Sequence, residues 1–279
     1  MARTSSIVEP KGYAMTWLML DHPAWDLDTG TPVRALRTPA GAWTFTGSPD
    51  RTATLVRGDG PAPVVDSYDP VSLPAGRVPA RLAAALHRLG RVERVRNPDL
   101  WEALATAIIR QVIRAGQARK MHRAFRAAAG ETAGVTWLIP TPEQTLALGA
   151  EDFAALGMAF KRRPLQAAAA AYLTHHAEWA QLAPDALVKA LQAVPRIGPW
   201  TAGAAVADFT GDFSLYPYAD LAVRTWAALA DPSTDWPTDE PGFAARWQRL
   251  AGPHRSVLTV LTLAWGDHHA HADQGSTHH

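Results

Sequence analysis

Prolines set the frame of this chain. From Arg81 onward the sequence is alanine-rich and helical in pattern, and one helix after another opens at a proline. Proline lacks an N–H that the first helical turn leaves unpaired anyway, and its fixed φ suits that position. Asn97-Pro98 reads as an N-cap followed by proline, ahead of an apolar face of Trp101, Leu104, Ala105, Ile108 and Val112. Thr141-Pro142-Glu143-Gln144 is a capping box, in which threonine and glutamine reciprocally satisfy free amides. Further helices are expected over 164–181, 184–193, 199–209, 221–229, 243–250 and 255–265. Helices joined by short turns predict an all-α domain.

The N-terminal part reads differently. Short β-prone runs at 13–20, 33–37, 42–46 and 52–57 are separated by turn material such as Asp28-Thr29-Gly30 and Gly58-Asp59-Gly60. A proline-rich stretch from Pro61 to Pro79 then marks a boundary. The expected architecture is mainly α: a small β-rich (α+β) N-terminal domain over 1–78 and an all-α domain over 79–279.

Cysteine is absent, which excludes disulfides, thiol nucleophiles, cysteine zinc sites and iron–sulfur clusters. The net charge of +1 announces no global field for a polyanion. A compact site can still bind phosphate through backbone amides and a helix dipole. No apolar run approaches the ~20 residues of a membrane span, and the N-terminus lacks the apolar centre of a signal peptide. A cytoplasmic protein is therefore expected. His268, His269, His271, His278 and His279 form a C-terminal tail without a carboxylate cluster and are not read as a metal site.

The segment from Leu187 to Arg224 is the most informative. Between two apolar helices lies a tight hairpin, Val194-Pro195-Arg196-Ile197-Gly198-Pro199. Gly198 allows a partner to approach the backbone closely, and Pro199 opens a helix whose free N–H groups and positive dipole end face the same way. That arrangement suits one phosphate of a DNA backbone, although a plain helix–helix turn has the same composition.

Val194-Pro195-Arg196-Ile197-Gly198-Pro199-Trp200-Thr201-Ala202, followed by Tyr216-Pro217-Tyr218-Ala219-Asp220, resembles the signature of the helix–hairpin–helix DNA glycosylases (the HhH-GPD superfamily). The branch it looks most like is the AlkA-type 3-methyladenine DNA glycosylase II. Ile139-Pro140-Thr141-Pro142, Leu156-Gly157-Met158 with Lys161, and Arg255-Ser256 fall where that family has similar residues, so the likeness spans roughly 95–265. It implies a monofunctional base-excision-repair enzyme acting on duplex DNA as a monomer, with Asp220 as the catalytic carboxylate. The residue immediately before Thr201-Ala202 is a lysine nucleophile in bifunctional relatives, and here it is Trp200, so no lyase step is expected. The missing cysteines remove the iron–sulfur cluster of other branches. No cofactor is expected beyond a monovalent cation that the family's hairpin can hold through backbone carbonyls.

Breaking an N-glycosidic bond builds positive charge on the sugar, which a carboxylate stabilises while it orients or deprotonates water. Asp220 has the alternative role of capping the helix that starts at Leu221. By the same resemblance Trp200, Ala204, Tyr218, Leu263 and Trp265 line the pocket of a flipped base, and Trp200 could equally be core. Gln111 precedes Val112 at the position of an apolar wedge, with helix core as the competing reading. Arg114, Lys161, Arg196, Ile197, Gly198 and Thr201 are the expected DNA contacts, Lys161 reading equally well as part of a solvated basic turn. Three departures bear on the substrate. Arg196 stands where the hairpin has a glycine, Ala204 where a stacking tyrosine is frequent, and Leu263 where a tryptophan is common. A glycosylase for a deaminated, bulky or otherwise modified base, and a non-catalytic hairpin DNA-binding protein, are the competing functions.

Overall fold

The computed structural model describes residues 4–6, 16–47 and 51–275. Its strands are β1 (Thr4–Ser6), β2 (Thr16–Leu18), β3 (Val33–Thr38), β4 (Gly41–Thr46), β5 (Thr52–Gly58), β6 (Val65–Tyr68), β7 (Arg91–Val95), β8 (Thr132–Ala133) and β9 (Thr136–Trp137). Its helices are α1 (Ala80–Leu89), α2 (Leu100–Arg110), α3 (Ala115–Ala129), α4 (Pro142–Ala147), α5 (Ala150–Ala155), α6 (Arg162–Trp179), α7 (Pro184–Leu191), α8 (Pro199–Thr210), α9 (Leu221–Ala230), α10 (Glu240–Ala251) and α11 (Arg255–Gly275). The protein is mainly α with small sheets, as expected.

The chain forms two compact units, each assembled from separate segments. The first comprises Met1–Glu9, His22–Val64 and Arg96–Gly211, and the second Pro10–Asp21, Val65–Val95 and Asp212–His279. The boundary expected at residue 78 matches neither, because the β-rich N-terminal part contributes strands to both units.

In the first unit β1, β5, β4 and β3 form an antiparallel sheet in that order. Its other centre is α2, which packs against α3, α6 and α8. Every residue from Leu100 to Ile109 is buried, so no face of this helix is left for water. Its polar groups must then find partners inside. The Asp99 side chain accepts from Trp101 N (2.9 Å) and caps the helix. The cap expected at Asn97 is thus displaced by two residues; Asn97 instead accepts from Asp99 N (3.1 Å) and donates to Asp208 on α8 (3.0 Å). Glu102, on the first turn, pairs with Arg34 of β3 at 3.2 Å. Asp208 also meets His22 at 3.3 Å. Arg126 of α3 pairs with Asp26 at 3.1 Å. A buried ion pair thus ties the sheet to α2, another ties α3 to the segment ahead of that sheet, and the His22–Asp208 contact joins the same segment to α8. The capping box at Thr141 and Gln144 is formed as expected.

In the second unit β2 pairs in parallel with β7, and β6 pairs antiparallel with β7. The expected strand at 13–20 is realised as β2 over 16–18, and 13–15 lie outside the described residues. β7 falls where a helical pattern was expected. Its alternation, with Val92 buried and Arg91 and Glu93 half-exposed, fits a strand with a distant partner. Helix α9 lies against α11, where the indole of Trp226 occupies the space of a missing side chain: a Cβ on Gly266 would sit 2.3 Å from its ring. Helix α11 runs ten residues beyond the expected end at 265, although side chains are described only to His269.

Burial pushes the Glu102 carboxyl up to about 7, and the Arg34 guanidinium opposes this. Arg34→Met leaves that carboxylate without its counter-charge and lowers stability by about 3–5 kcal/mol near pH 8. Without the arginine, Glu102 titrates still higher in the folded state than in the unfolded chain. The folded state then holds a proton the unfolded chain lacks, so stability falls as pH rises through that window and recovers toward pH 5. Urea unfolding at pH 5 and pH 8 measures both deficits, and equal deficits would contradict this account.

Candidate functional site

Helix α2 ends at Arg110 in a sharp turn. Gln111 leaves the helix at φ −53°, ψ 129°, and Val112 adopts φ 58°. Val112 is 102% exposed. The competing core reading of Val112 is therefore wrong: periodicity continued the apolar face past the point where the helix stops. Arg196, in the hairpin between α7 and α8, has φ 69°. Among the described residues, Val112 and Arg196 are the two non-glycine residues with positive φ. A branched side chain in the left-handed region is a true outlier, and such strain costs on the order of 1–3 kcal/mol. Arg196 accordingly takes a conformation that favours glycine.

One side chain joins the two strained segments. Gln111 Nε2 donates to the carbonyl of Arg196 (3.3 Å) and to Thr201 Oγ1 (2.6 Å). Beneath it Lys161 Nζ donates to the carbonyls of Ile108 (2.8 Å) and Gln111 (2.7 Å). Lys161 is 3% exposed, and its ammonium lies 5.1 Å from the centroid of the exposed Phe160 ring. Burial pushes its pKa down to about 8, and the ammonium donates to two carbonyls at the C-terminal end of α2. The expectation of a phosphate contact or a solvated turn at Lys161 is corrected, since the side chain turns inward to satisfy the end of a buried helix.

The hairpin divides into an inner and an outer set. Val194, Ile197 and Thr201 are buried, while Pro195, Arg196, Gly198 and Pro199 are exposed. Ile197 and Thr201 therefore offer a partner no side-chain surface, contrary to expectation. Gly198 is the N-cap of α8, and among the described residues no side chain caps that end. A Cβ on Gly198 would meet nothing within 4 Å, and its φ of −87° is open to any residue. Nothing inside the first unit requires a glycine there. Arg114, at the start of α3, is exposed.

The second unit carries Asp220. It stands at the N-cap of α9, yet its side chain makes no capping hydrogen bond among the described residues. It accepts one long hydrogen bond, from Tyr216 Oη at 3.4 Å. The loop ahead of it is fixed from several sides. Ser256 Oγ accepts from Phe213 N at 2.9 Å, and the Phe213 ring stacks on Tyr216 (5.8 Å between centroids) beneath the Arg94 guanidinium. Tyr218 is held by Gln248, which donates to its hydroxyl, and by Arg255 over its ring at 5.2 Å. Tyr216, Phe213 and Gln248 escaped the sequence reading. The aromatic spacing of Phe213, Tyr216 and Tyr218 was the available signal for the first two.

No family model matches the sequence, and no curated protein matches it. Solved structures do. A 3-methyladenine DNA glycosylase from Archaeoglobus fulgidus is 19% identical, with a TM-score of 0.63 over 87% of this chain and 89% of that one. The protein MBOgg1, solved with a low-affinity DNA ligand, is 15% identical, with a TM-score of 0.62 over 95% and 99%. An 8-oxoguanine glycosylase/lyase from Clostridium acetobutylicum is 12% identical, with a TM-score of 0.62 over 90% and 90%. This chain has the fold of the helix–hairpin–helix DNA glycosylases. Within this glycosylase fold, the expected pocket residues fall into different units: Trp200 and Ala204 in the first, Tyr218, Leu263 and Trp265 in the second. Ala204 is 6% exposed and Trp200 is half-buried on the first turn of α8. Trp265 is buried and stacks on His269 at 3.9 Å, and Leu263 is half-buried.

A fully exposed valine in the left-handed region contributes strain and little packing. Val112→Gly should raise stability by about 1 kcal/mol, because relief of that strain exceeds the backbone entropy a glycine adds, ~0.5–1 kcal/mol. Urea unfolding tests this, and a net loss of stability would show that the turn is unstrained.

Proposed function

We propose that this protein is a DNA glycosylase of base excision repair that hydrolyses the N-glycosidic bond of an alkylated base in duplex DNA. The observation that carries the reading is Val112, held fully exposed at φ 58° and connected through Gln111 to an exposed hairpin. Strain of this kind persists where function keeps it. In this reading Val112 enters the gap left when the damaged base is extruded. The exposed Arg196, Gly198 and the uncapped end of α8 receive a backbone phosphate without regard to sequence.

Asp220 supplies the carboxylate. As the bond from C1′ to the base breaks, its electron pair leaves with the base, and positive charge spreads over the sugar ring. The Asp220 carboxylate stabilises that charge and takes a proton from the attacking water. Freedom from a capping bond supports this use of the side chain. A base made cationic by alkylation of a ring nitrogen departs neutral, so no strong general acid is needed. Trp200, where bifunctional relatives carry lysine, favours hydrolysis without strand cleavage.

Randomly methylated duplex DNA is the substrate to try, with released bases separated by chromatography. The wild type should release methylated purines and leave the strand intact, and Asp220→Asn should be slower by about 10²–10⁴-fold while still binding DNA. Full activity in Asp220→Asn would overturn the assigned role. Release of a deaminated base from a matching duplex, with methylated DNA untouched, would change the lesion class and keep the mechanism. Gly198→Ala should leave stability within about 0.5 kcal/mol of wild type and weaken duplex binding about tenfold. Unchanged binding would remove the hairpin from the interface.

A further inference from the structure

We propose that Lys161 and Gln111 are positioning residues that hold the Val112 turn and the hairpin together as one preassembled DNA-engaging unit. The use of that unit on DNA rests on the glycosylase reading; the way it is held does not.

A single peptide plane carries the constraint. The Gln111 carbonyl belongs to the peptide whose nitrogen is that of Val112, so its direction couples ψ of Gln111 to φ of Val112. Lys161 Nζ binds that carbonyl at 2.7 Å. Rotating the peptide would let Val112 relax out of the left-handed region, and it would also carry the carbonyl away from the ammonium. The second bond, to Ile108 O at 2.8 Å, fixes the ammonium against the end of α2. Ile108 O also accepts from Gln111 N at 3.2 Å, so the last turn of the helix and the strained peptide share one anchor.

A matching clamp lies at the other end of Gln111. Its side-chain amide binds the carbonyl of Arg196, the second left-handed residue, and the hydroxyl of the buried Thr201 on the first turn of α8. Both strained residues therefore have a carbonyl, their own or the preceding one, clamped by the Lys161–Gln111 pair. A turn and a hairpin about 85 residues apart are held at a fixed spacing before any DNA arrives. Preorganisation of this kind removes an ordering cost from the step that uses it.

Lys161→Met keeps the length of the side chain and removes its donors. Two readouts separate the holding of the turn from its use. In the free protein, hydrogen exchange at amides 110–114 should rise at least tenfold while α6 and α8 keep their protection. On DNA carrying 2-aminopurine beside an abasic-site analogue, the fluorescence gain on binding should fall at least fivefold, with affinity for undamaged duplex within threefold of wild type. Gln111→Leu, at a half-buried site, should show the same exchange signature and extend it to 195–198. Unchanged exchange at 110–114 in both variants overturns the proposal. Loss of protection throughout α2, α6 and α8 in both variants overturns it too, since the residues would then be general supports of the core. Locally raised exchange, in a protein whose wild type neither unstacks DNA nor releases a base, upholds the clamp and refutes the glycosylase reading.

Discussion

A helix buried on every face along its length leaves its unpaired end groups at the margin of the core, where side chains satisfy them. That requirement governs the first unit. Helix α2 is apolar enough to be enclosed by α3, α6 and α8, and the enclosure leaves free N–H groups at one end and free carbonyls at the other. Asp99 answers the first end and Lys161 the second. Glu102 carries a charge into the same interior and needs Arg34. Charged residues that composition would place on the surface are thereby drawn inward, and the turn after α2 acquires its shape from the lysine at the helix end.

Strain and support then appear in the same place. The two left-handed non-glycine residues among those described lie in separate loops, yet one glutamine reaches both. Neither loop is ordered by its own sequence: Val112 and Arg196 both have side chains that disfavour their left-handed conformation. Local preference and global fold conflict there and agree almost everywhere else, a pattern expected where a surface is kept for use rather than for stability. The exposed face of Gly198, with no neighbour within van der Waals reach, belongs to the same surface.

Much of this was legible in the residues. The helices led by Pro142, Pro184 and Pro199, the capping box at Thr141, the hairpin and the helix opening behind Asp220 all depend on short-range chemistry and formed close to their expected bounds, whereas the starts expected at Pro98 and Pro164 fall at Leu100 and Arg162. What could not be read is what depends on distant partners. β7 looked like helix-region sequence because its mates, β2 and β6, come from other stretches of chain. The interleaving of the two units arises from the same pairings. Lys161 looked like a surface cation because nothing in its neighbours along the chain reveals that the end of α2 lies above it. Val112 continued an apolar periodicity faithfully, and only the end of the helix one residue before Gln111 takes it out of register. In the second unit Asp220 stands at the head of α9, as its place before Leu221 led one to expect, whereas its hydrogen bond from Tyr216 and the Gln248–Tyr218 contact required coordinates.

The seat of Trp226 on Gly266 has a consequence for how such a chain can change over time. The indole lies where any β-carbon at 266 would have to go, so the two positions share one fixed volume. A lineage that enlarges residue 266 must shrink residue 226 in compensation, and a lineage that keeps the tryptophan has a single choice opposite it. Helix α9, which begins just after Asp220, lies against α11 at this seat, so the packing of these two helices passes through a pair of sites that can only vary together.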